Sequence, residues 1–245
     1  MNLIVDAGNT YIKVSVFQKD KMLLHESFKK EVFQIKIEEI LKKYTQIDQM
    51  ITSSVTKLSE ATKEFLDTLS IQVHTLTHKT KVPFQNNYAT PETLGVDRIA
   101  LVVAAVSQYP KQNVLVIDAG TCITYDFKTD KEIYLGGGIS PGLQLRYKTL
   151  NLLTANLPLL APKMPESYIG NTTDSAIHSG VSIGVITEID GIINRYKEQF
   201  QHLTVILTGG DTNFLAKRLK NTIFANSKFL LQGLNNVLEY NRYND

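Results

Sequence analysis

The pattern of hydrophobic and polar positions predicts a hairpin at the start of the chain. Residues 2–6 form an apolar run, which is typical of a buried strand. Over residues 11–17 the apolar side chains Ile12, Val14 and Val16 alternate with polar ones, as in a strand that is buried on one face. A short polar turn joins the two runs, so we expect an antiparallel pair.

The remainder of the first half alternates between strand and helix patterns. Apolar runs and helical apolar spacing predict, in chain order, a strand at 21–28, a helix at 31–44, a strand at 49–53, a helix at 59–69 and a strand at 71–76. A polar loop follows over 79–90, and a helix is predicted from about residue 93 to 108. Three strands followed by alternating helix and strand are typical of a ribonuclease-H-like layer.

The second half begins with the same pattern. Residues 114–127 again contain an apolar run, a polar turn and an extended run, followed by a predicted strand at 131–134 and a glycine turn at 136–142. The longest helical pattern starts near residues 171–173, any of which could cap it. Gly180 and Gly184 reduce its helix propensity, which predicts the close approach of another helix, from this chain or from a second subunit. A strand at 203–207 and two helical stretches complete the chain.

The two hairpins carry the same turn. Asp6-Ala7-Gly8 and Asp118-Ala119-Gly120 each follow the first strand of a pair, 112 positions apart in 245 residues, and a threonine comes shortly after each glycine. Such a repeat indicates an internal duplication. We therefore predict an α/β protein with two similar lobes, at 1–112 and 113–245, that face each other across a cleft and have no flexible linker between them.

The composition of these turns suggests a site for metal-bound polyphosphate. Glycine lets backbone amides approach a ligand, and successive amides form a concavity for anions. A carboxylate beside that concavity would repel bare phosphate, so a cation must lie between them. An ordinary hairpin turn also favours Asp, Gly, Asn and Thr, but two copies at half-chain spacing make that explanation weaker. Neither turn is a Walker loop or a dinucleotide fingerprint, because no helix opens after the glycine.

Overall composition narrows the class of function. The net charge of +2 comes without a long basic run, which gives little support to nucleic acid binding. A single cysteine, Cys122, excludes an internal disulfide framework and suits a reducing compartment. The chain begins as a strand without a signal-like leader, and no run approaches eighteen apolar residues. We expect a cytoplasmic protein with no membrane partner.

Among single residues, Asp97 is the most informative carboxylate. It precedes Arg98 where a loop enters a helix, and a helix-start aspartate with a solvated arginine explains it equally well on local grounds. Gly209-Gly210 after a buried strand could pack against a helix start or admit a flat ligand such as adenine. The five histidines lack metal-ligand spacing. Cys122 has no paired base nearby in sequence and is expected to be a small packing residue rather than a nucleophile.

Five motifs, taken together, resemble those of the type III pantothenate kinases. These kinases belong to the superfamily of acetate and sugar kinases, heat-shock 70 proteins and actin. The motifs occur in the family's order: DAGNT at 6–10, LGVDR at 94–98, DAGT at 118–121, GGGISPG at 136–142 and G-x-x-T at 170–173. The resemblance extends from residue 1 to at least residue 211, because TGGD at 208–211 resembles the superfamily's adenosine-side turn. Cys122 and Thr172 replace the commoner alanine and asparagine, and the last thirty or so residues carry no usable motif.

The resemblance implies an actin-like ATPase fold of two ribonuclease-H-like lobes. It implies ATP-dependent phosphorylation of pantothenate to 4'-phosphopantothenate, the first step of coenzyme A biosynthesis. The ATP contacts that it implies are Asp6, Ala7, Gly8, Asn9, Thr10, Tyr11, Ile12, Lys13 and Thr121. The pantothenate contacts that it implies are Tyr88, Gly95, Val96, Asp97, Arg98 and Thr173, with Asp97 as the catalytic base.

The resemblance also implies cofactors and an assembly. Asp118 takes the position that binds a monovalent cation in this family, potassium or ammonium, and Asp6 holds magnesium with ATP. The protein is expected to be a homodimer with its substrate pocket near the interface, where Thr173 serves the neighbouring subunit.

Three alternatives remain at this point. Another small-molecule kinase or phosphatase of the superfamily would keep both turns but has no reason to keep GVDR with Tyr88. A non-catalytic transcriptional accessory protein would need a DNA-binding surface, which the near-neutral charge disfavours. A structural filament protein should carry larger insertions than 245 residues allow.

Overall fold

The structure is a computed structural model that describes residues 1–8, 11–54 and 60–242. It separates into two compact units. The first contains the described residues of Met1–Gln108 together with those from Phe229 onward, and the second contains Tyr109–Lys228. The predicted division at residue 112 assigned the final segment to the second lobe, whereas in the structure this segment joins the first unit.

The secondary structure is mixed α/β. The strands are β1 (Asn2–Ala7), β2 (Tyr11–Gln18), β3 (Lys21–Lys29), β4 (Gln49–Ser54), β5 (Gln72–Thr75), β6 (Gln85–Asn86), β7 (Val114–Ala119), β8 (Cys122–Lys128), β9 (Ile133–Pro141), β10 (Thr204–Thr208) and β11 (Phe224–Ala225). The helices are α1 (Phe33–Lys43), α2 (Glu60–Asp67), α3 (Val96–Gln108), α4 (Leu143–Leu152), α5 (Thr173–His178), α6 (Gly184–Gln199), α7 (Thr212–Leu215) and α8 (Phe229–Arg242). Short 3-10 turns cover Lys30–Val32 and Pro91–Thr93.

The two units repeat one sheet topology. In the first unit the strand order is β3-β2-β1-β4-β5, and in the second the order β9-β8-β7-β10-β11 corresponds to it strand for strand. In both, the first strand pairs antiparallel with the second and parallel with the fourth. The predicted α/β fold with two similar halves is therefore confirmed. Strands β1 and β7 also share one burial pattern, in which only the fifth residue, Asp6 or Asp118, is partly exposed.

Each unit has its own hydrophobic core. In the first, side chains of β1, β2 and β4 pack against α1 and α2. Helices α3 and α8 pack so closely that a Cβ added at Gly233 would lie 2.0 Å from the Ala100 carbonyl oxygen. In the second, side chains of β7, β8 and β10 pack against α4 and the long helix from Thr173 to Gln199. The final helix, for which the sequence offered no motif, thus completes the core of the first unit.

Strand β9 departs from the sequence prediction. Residues 136–142 were predicted as a glycine turn, but residues up to Pro141 are strand and pair with β8. The glycines are needed for close approach: a Cβ at Gly137 would lie only 1.7 Å from the Tyr125 carbonyl oxygen. The prediction of a turn was wrong because glycine marks both turns and tightly packed strands.

The helix from Thr173 to Gln199 is continuous over 27 residues. Thr172 caps it, accepting a hydrogen bond from the Ser175 amide in a capping box, which confirms one of the predicted caps. A π-helical turn, Ser179–Ile183, joins α5 to α6. By length and composition alone this helix could cross a membrane. It is a core helix, because Val185, Ile189 and Ile193 are fully buried in the second unit.

Candidate active site

In the first unit, Asp6 lies near the C-terminal end of the central strand β1. The β1–β2 register places Asp6 opposite Lys13, and the Lys13 Nζ lies 4.0 Å from the Asp6 carboxylate. The Asp6 side chain is 13% exposed. The Gly8 amide donates to the Tyr11 carbonyl oxygen at 3.1 Å and closes the hairpin. Asn9 and Thr10, two predicted ATP contacts, lie outside the described residues. Ala7, Tyr11 and Ile12, three further predicted ATP contacts, flank the turn; Ala7 and Ile12 are buried and Tyr11 is exposed.

Asp97 lies in the first turn of α3, which begins at Val96. Its Oδ1 accepts a hydrogen bond from the Arg98 amide at 2.9 Å. A Cβ at position 95 would lie 2.5 Å from that same oxygen. Gly95 is therefore required for the observed orientation of the Asp97 carboxylate, which explains the glycine of the GVDR motif.

The Asp97 carboxylate acts electrostatically on Asp6. The pKa of Asp6 is raised from 3.8 to about 6 as the net result of three effects: burial raises it most, Lys13 lowers it, and the Asp97 carboxylate raises it. The structure thus brings together the first glycine turn and the predicted base. Because burial and the Asp97 carboxylate both disfavour the ionised form of Asp6, a cation at this place would stabilise it.

Arg98 and Tyr88 form a pair beside Asp97. Arg98 is only 4% exposed, and its guanidinium carbon lies 5.5 Å from the centroid of the Tyr88 ring. This is a cation–π arrangement. The Tyr88 amide donates to Asn86 Oδ1 at 3.0 Å, which fixes the loop that carries the ring. The alternative of a helix-start aspartate with a solvated arginine is wrong in its second part, because this arginine is buried.

In the second unit, two glycine residues pack against the turn that follows β7. A Cβ at Gly209, whose φ is +94°, would lie 2.4 Å from Asp118 Oδ1 and 2.3 Å from the Ala119 carbonyl oxygen. A Cβ at Gly142 would lie 2.0 Å from the Gly120 carbonyl oxygen. Because only glycine fits at either place, the GGGISPG and TGGD motifs both serve to support this turn. The structure therefore brings Asp118 and Thr121 together with the ends of two other motifs.

Two further hydrogen bonds hold this turn. The Gly142 amide donates to the Thr121 carbonyl oxygen at 3.0 Å, and the Asp211 amide donates to the Ala119 carbonyl oxygen at 2.9 Å. The Thr121 side chain itself is exposed, as a ligand contact requires. Cys122, expected to be a packing residue, is exposed instead.

Thr173 is the first residue of α5 and lines a cavity of about 720 Å³ in the second unit. Apolar side chains such as Leu150, Leu157 and Ile177 form much of its lining, and Arg146 and Pro141 also line it. The site residue predicted to serve a neighbouring subunit therefore faces a sizeable, largely apolar space.

One cluster in the second unit was not predicted. Glu188 of α6 accepts hydrogen bonds from Tyr125, Ser140 and Arg146. Its partners lie 42 to 63 positions away in sequence, so no local pattern could have indicated it.

Comparison with known proteins gives a consistent assignment. A family model described as type III pantothenate kinase matches residues 2–195. A type III pantothenate kinase of Christiangramia forsetii is 51% identical over 99% of both chains, and one of Bacteroides fragilis is 42% identical over 98% of both. Among solved structures, a Baf family protein from Campylobacter jejuni superposes with a TM-score of 0.63 at 22% identity, covering 98% of this chain and 99% of that one. Component A of (R)-2-hydroxyglutaryl-CoA dehydratase from Acidaminococcus fermentans gives 0.55 at 12% identity, covering 100% and 99%. The structural likenesses establish the actin-like fold, and the sequence matches establish that the chain belongs to the type III pantothenate kinase family.

Proposed function

We propose that this protein transfers the γ-phosphoryl group of ATP to the primary hydroxyl of pantothenate, as the first step of coenzyme A biosynthesis. The observation that carries the proposal is the electrostatic coupling of Asp97 to Asp6, a carboxylate at a glycine turn. Phosphorylation of an alcohol needs a neutralised polyphosphate and a carboxylate that accepts the hydroxyl proton. These two requirements correspond to the Asp6 turn and to Asp97.

In this mechanism the Asp97 carboxylate accepts the hydroxyl proton while the alkoxide oxygen bonds to the γ-phosphorus. The bond from that phosphorus to the β–γ bridging oxygen breaks, and ADP leaves. Gly95 leaves the room that the Asp97 carboxylate occupies, and the Arg98–Tyr88 pair forms a wall of the pantothenate pocket together with Val96. Residues 6–13 hold the phosphates, with Thr121 as a further ATP contact.

Magnesium bound with ATP would neutralise the phosphate charge, and Asp6 is suited to hold it. Its raised pKa reflects a buried carboxylate that a divalent cation would stabilise in the ionised form. Among the described residues, no group of three or more His, Cys, Asp or Glu side chains converges. The ion would therefore draw most of its ligands from phosphate and water, which is the usual habit of magnesium.

Asp118 would hold a monovalent cation, potassium or ammonium. The Asp118 carboxylate lies at a second phosphate-type turn, where it requires a counter-ion. Its cross-strand neighbour on β8 is Thr124, whereas Asp6 faces a lysine, so the two copies of the turn have diverged in charge. A singly charged ion would balance the single negative charge of the Asp118 carboxylate.

The active form would be a cytoplasmic homodimer in which Thr173 completes the partner's pantothenate site. A Cβ added at Gly180 or Gly184 would meet no atom within 4 Å among the described residues. The expected close approach of a helix therefore has no candidate in the described part of this chain, and a second copy is the natural occupant. The single, exposed Cys122 suits a reducing compartment.

The test is an ATP-dependent phosphorylation assay with pantothenate, glycerol and several sugars as acceptors, run in potassium, ammonium and sodium-only buffers. We expect turnover with pantothenate alone, and a sharp fall in sodium. Turnover of a sugar or glycerol in preference to pantothenate would favour another kinase of the superfamily.

The Campylobacter jejuni structural neighbour is named as a transcriptional activator, but at 22% identity it informs on fold only.

A further inference from the structure

Glu188 joins three elements of the second unit through one partly buried carboxylate, whose side chain is 26% exposed. The Tyr125 hydroxyl of β8 donates to its Oε1 at 3.0 Å, and the Ser140 hydroxyl of β9 donates to the same oxygen at 2.5 Å. The Arg146 Nη2 of α4 donates to its other oxygen, Oε2. Burial raises the pKa of Glu188, but the hydrogen bonds from Ser140, Arg146 and Tyr125 outweigh it and hold the pKa below its usual range.

These contacts converge on residues 140–142, which we call the SPG segment. Ser140 binds Glu188 directly, and Arg146, held by Glu188, also donates from Nε to the Pro141 carbonyl oxygen at 2.8 Å. The segment is thereby fixed at two successive residues. Tyr125 lies opposite Gly138 in the β8–β9 register, and a Cβ added at Gly138 would lie 3.4 Å from the Tyr125 ring.

Gly142, the last residue of the SPG segment, supports the DAGT turn at residues 118–121. Gly142 lies so close that an added Cβ would be 2.0 Å from the Gly120 carbonyl oxygen and 2.7 Å from that of Thr121. The Gly142 amide donates to the Thr121 carbonyl oxygen at 3.0 Å. A displacement of Gly142 would therefore be transmitted to the backbone of the turn.

We propose that Glu188 is a positioning residue for the nucleotide and cation site at Asp118–Thr121, acting through the SPG segment. This inference rests on the proposed role of that turn in binding ATP and a monovalent cation. Helix α6 thereby has a function beyond packing, because the Glu188 carboxylate sets the position of the Asp118–Thr121 turn without contacting it directly.

The test uses Glu188→Gln and Ser140→Ala, each alone and combined. Nucleotide binding is measured by calorimetry with a non-hydrolysable ATP analogue, and the KM values for ATP and pantothenate by steady-state kinetics in potassium. Glu188→Gln should weaken analogue binding and raise the KM for ATP by about tenfold, the usual lower range for residues that orient a site indirectly. The KM for pantothenate should change less than the KM for ATP, because Glu188 reaches the Thr173 cavity only through Arg146. Ser140→Ala should change analogue binding and the KM for ATP less than Glu188→Gln does. The combined variant should show the same changes as Glu188→Gln alone, because both substitutions act through the contact between Glu188 and the SPG segment.

Two controls separate positioning from general destabilisation. Glu198→Gln makes the same charge change at an exposed position of α6 and should leave all parameters at wild-type values. Val185→Ala removes fully buried side-chain atoms from α6 and leaves the contacts of Glu188 in place. It should lower the Tm without a selective effect on analogue binding or on the KM for ATP. If Glu188→Gln behaves like Val185→Ala, or changes both KM values equally, Glu188 is only structural. Because analogue binding needs no acceptor, this result stands even if the wild-type protein fails to phosphorylate pantothenate, which would overturn only the proposed function.

Discussion

At the scale of single residues, the two copies of the Asp-Ala-Gly turn have the same backbone setting but different neighbours. Asp6 and Asp118 both occupy the fifth position of a central strand with identical burial. Across the hairpin, Asp6 faces Lys13 and Asp118 faces Thr124. The sequence predicted the repeated turn because its residue types are local. It could not predict the shifted pKa of Asp6, which depends on burial and on Asp97, 91 positions away.

The raised pKa of Asp6 predicts a pH-dependent stability. Because the folded-state pKa is near 6 and the unfolded value is 3.8, the folded protein binds more protons between these values, so its stability falls as pH rises from about 4 to 6. Above that window the loss in the free energy of unfolding is complete and amounts to about 2–3 kcal/mol, at roughly 1.4 kcal/mol per pKa unit. Asp6→Asn should therefore raise the free energy of unfolding of the nucleotide-free protein at pH 7.5 but not at pH 3.5. Denaturant unfolding at both pH values measures this. An equal effect at the two pH values would show that ionisation is not its cause.

Asp97→Asn tests the proposed base directly. Asparagine keeps the size of the side chain and can still accept the hydrogen bond from the Arg98 amide, but it cannot take a proton. Turnover should fall by about 10²–10⁴ while pantothenate and ATP still bind. Asp6→Asn should instead raise the magnesium and ATP concentrations needed for activity. Near wild-type turnover in Asp97→Asn would leave the carboxylate as a helix-start residue without a chemical role.

At the scale of elements, glycine was the main source of error. The strands and helices with regular apolar periodicity were predicted well, since that signal is local. The run Gly136-Gly137-Gly138 was predicted as a turn, yet it forms part of β9 because Tyr125 of the neighbouring strand needs the space. Whether a glycine serves a turn or a close contact depends on the partner strand, which a single stretch of sequence does not identify.

Two glycine-to-alanine substitutions should consequently have opposite effects. Gly137→Ala places a Cβ 1.7 Å from the Tyr125 carbonyl oxygen, a backbone atom that cannot rotate away. We expect destabilisation of at least the roughly 1–3 kcal/mol that overpacking causes. Gly191→Ala lies within α6, where the added Cβ meets nothing within 4 Å, and should stabilise by about 1 kcal/mol through helix propensity. Thermal and urea unfolding of both variants measures the contrast, and destabilisation by Gly191→Ala would indicate an unrecognised contact at that face.

At the scale of the whole molecule, the duplication was predictable and the course of the final helix was not. Two similar turns at half-chain spacing indicated two similar lobes, and the matching strand orders agree with this. Helix α8 follows the second unit in sequence but packs against α3 of the first, through Gly233 and Ala100. Such a return contact between residues more than a hundred positions apart has no signature in apolar periodicity.

The proposed dimer leads to a prediction about Gly184. An added side chain there meets no described atom of the same chain within 4 Å, so the isolated subunit should tolerate it. Gly184→Leu should weaken self-association by about 1–3 kcal/mol through overpacking between subunits. Gly184→Ala is the matched control and should affect association much less. Light scattering over a range of concentrations measures both, and a wild-type protein that is monomeric and fully active would contradict the dimer.

A mixing experiment then decides whether Thr173 acts across the interface. Asp97→Asn and Thr173→Ala are each expected to lower activity strongly. In a mixed dimer, the subunit that keeps Asp97 lacks its own Thr173 but has a partner that retains it. If Thr173 serves the neighbouring subunit, each mixed dimer contains one intact site, and random re-association of equal amounts should restore about a quarter of wild-type activity in a two-fold symmetric dimer. If Thr173 serves its own subunit, no intact site forms and the mixture stays as inactive as its components. Recovery that depends on re-association, and is absent when Gly184→Leu is added to both chains, would identify the interface as the place where the second subunit completes the pantothenate site.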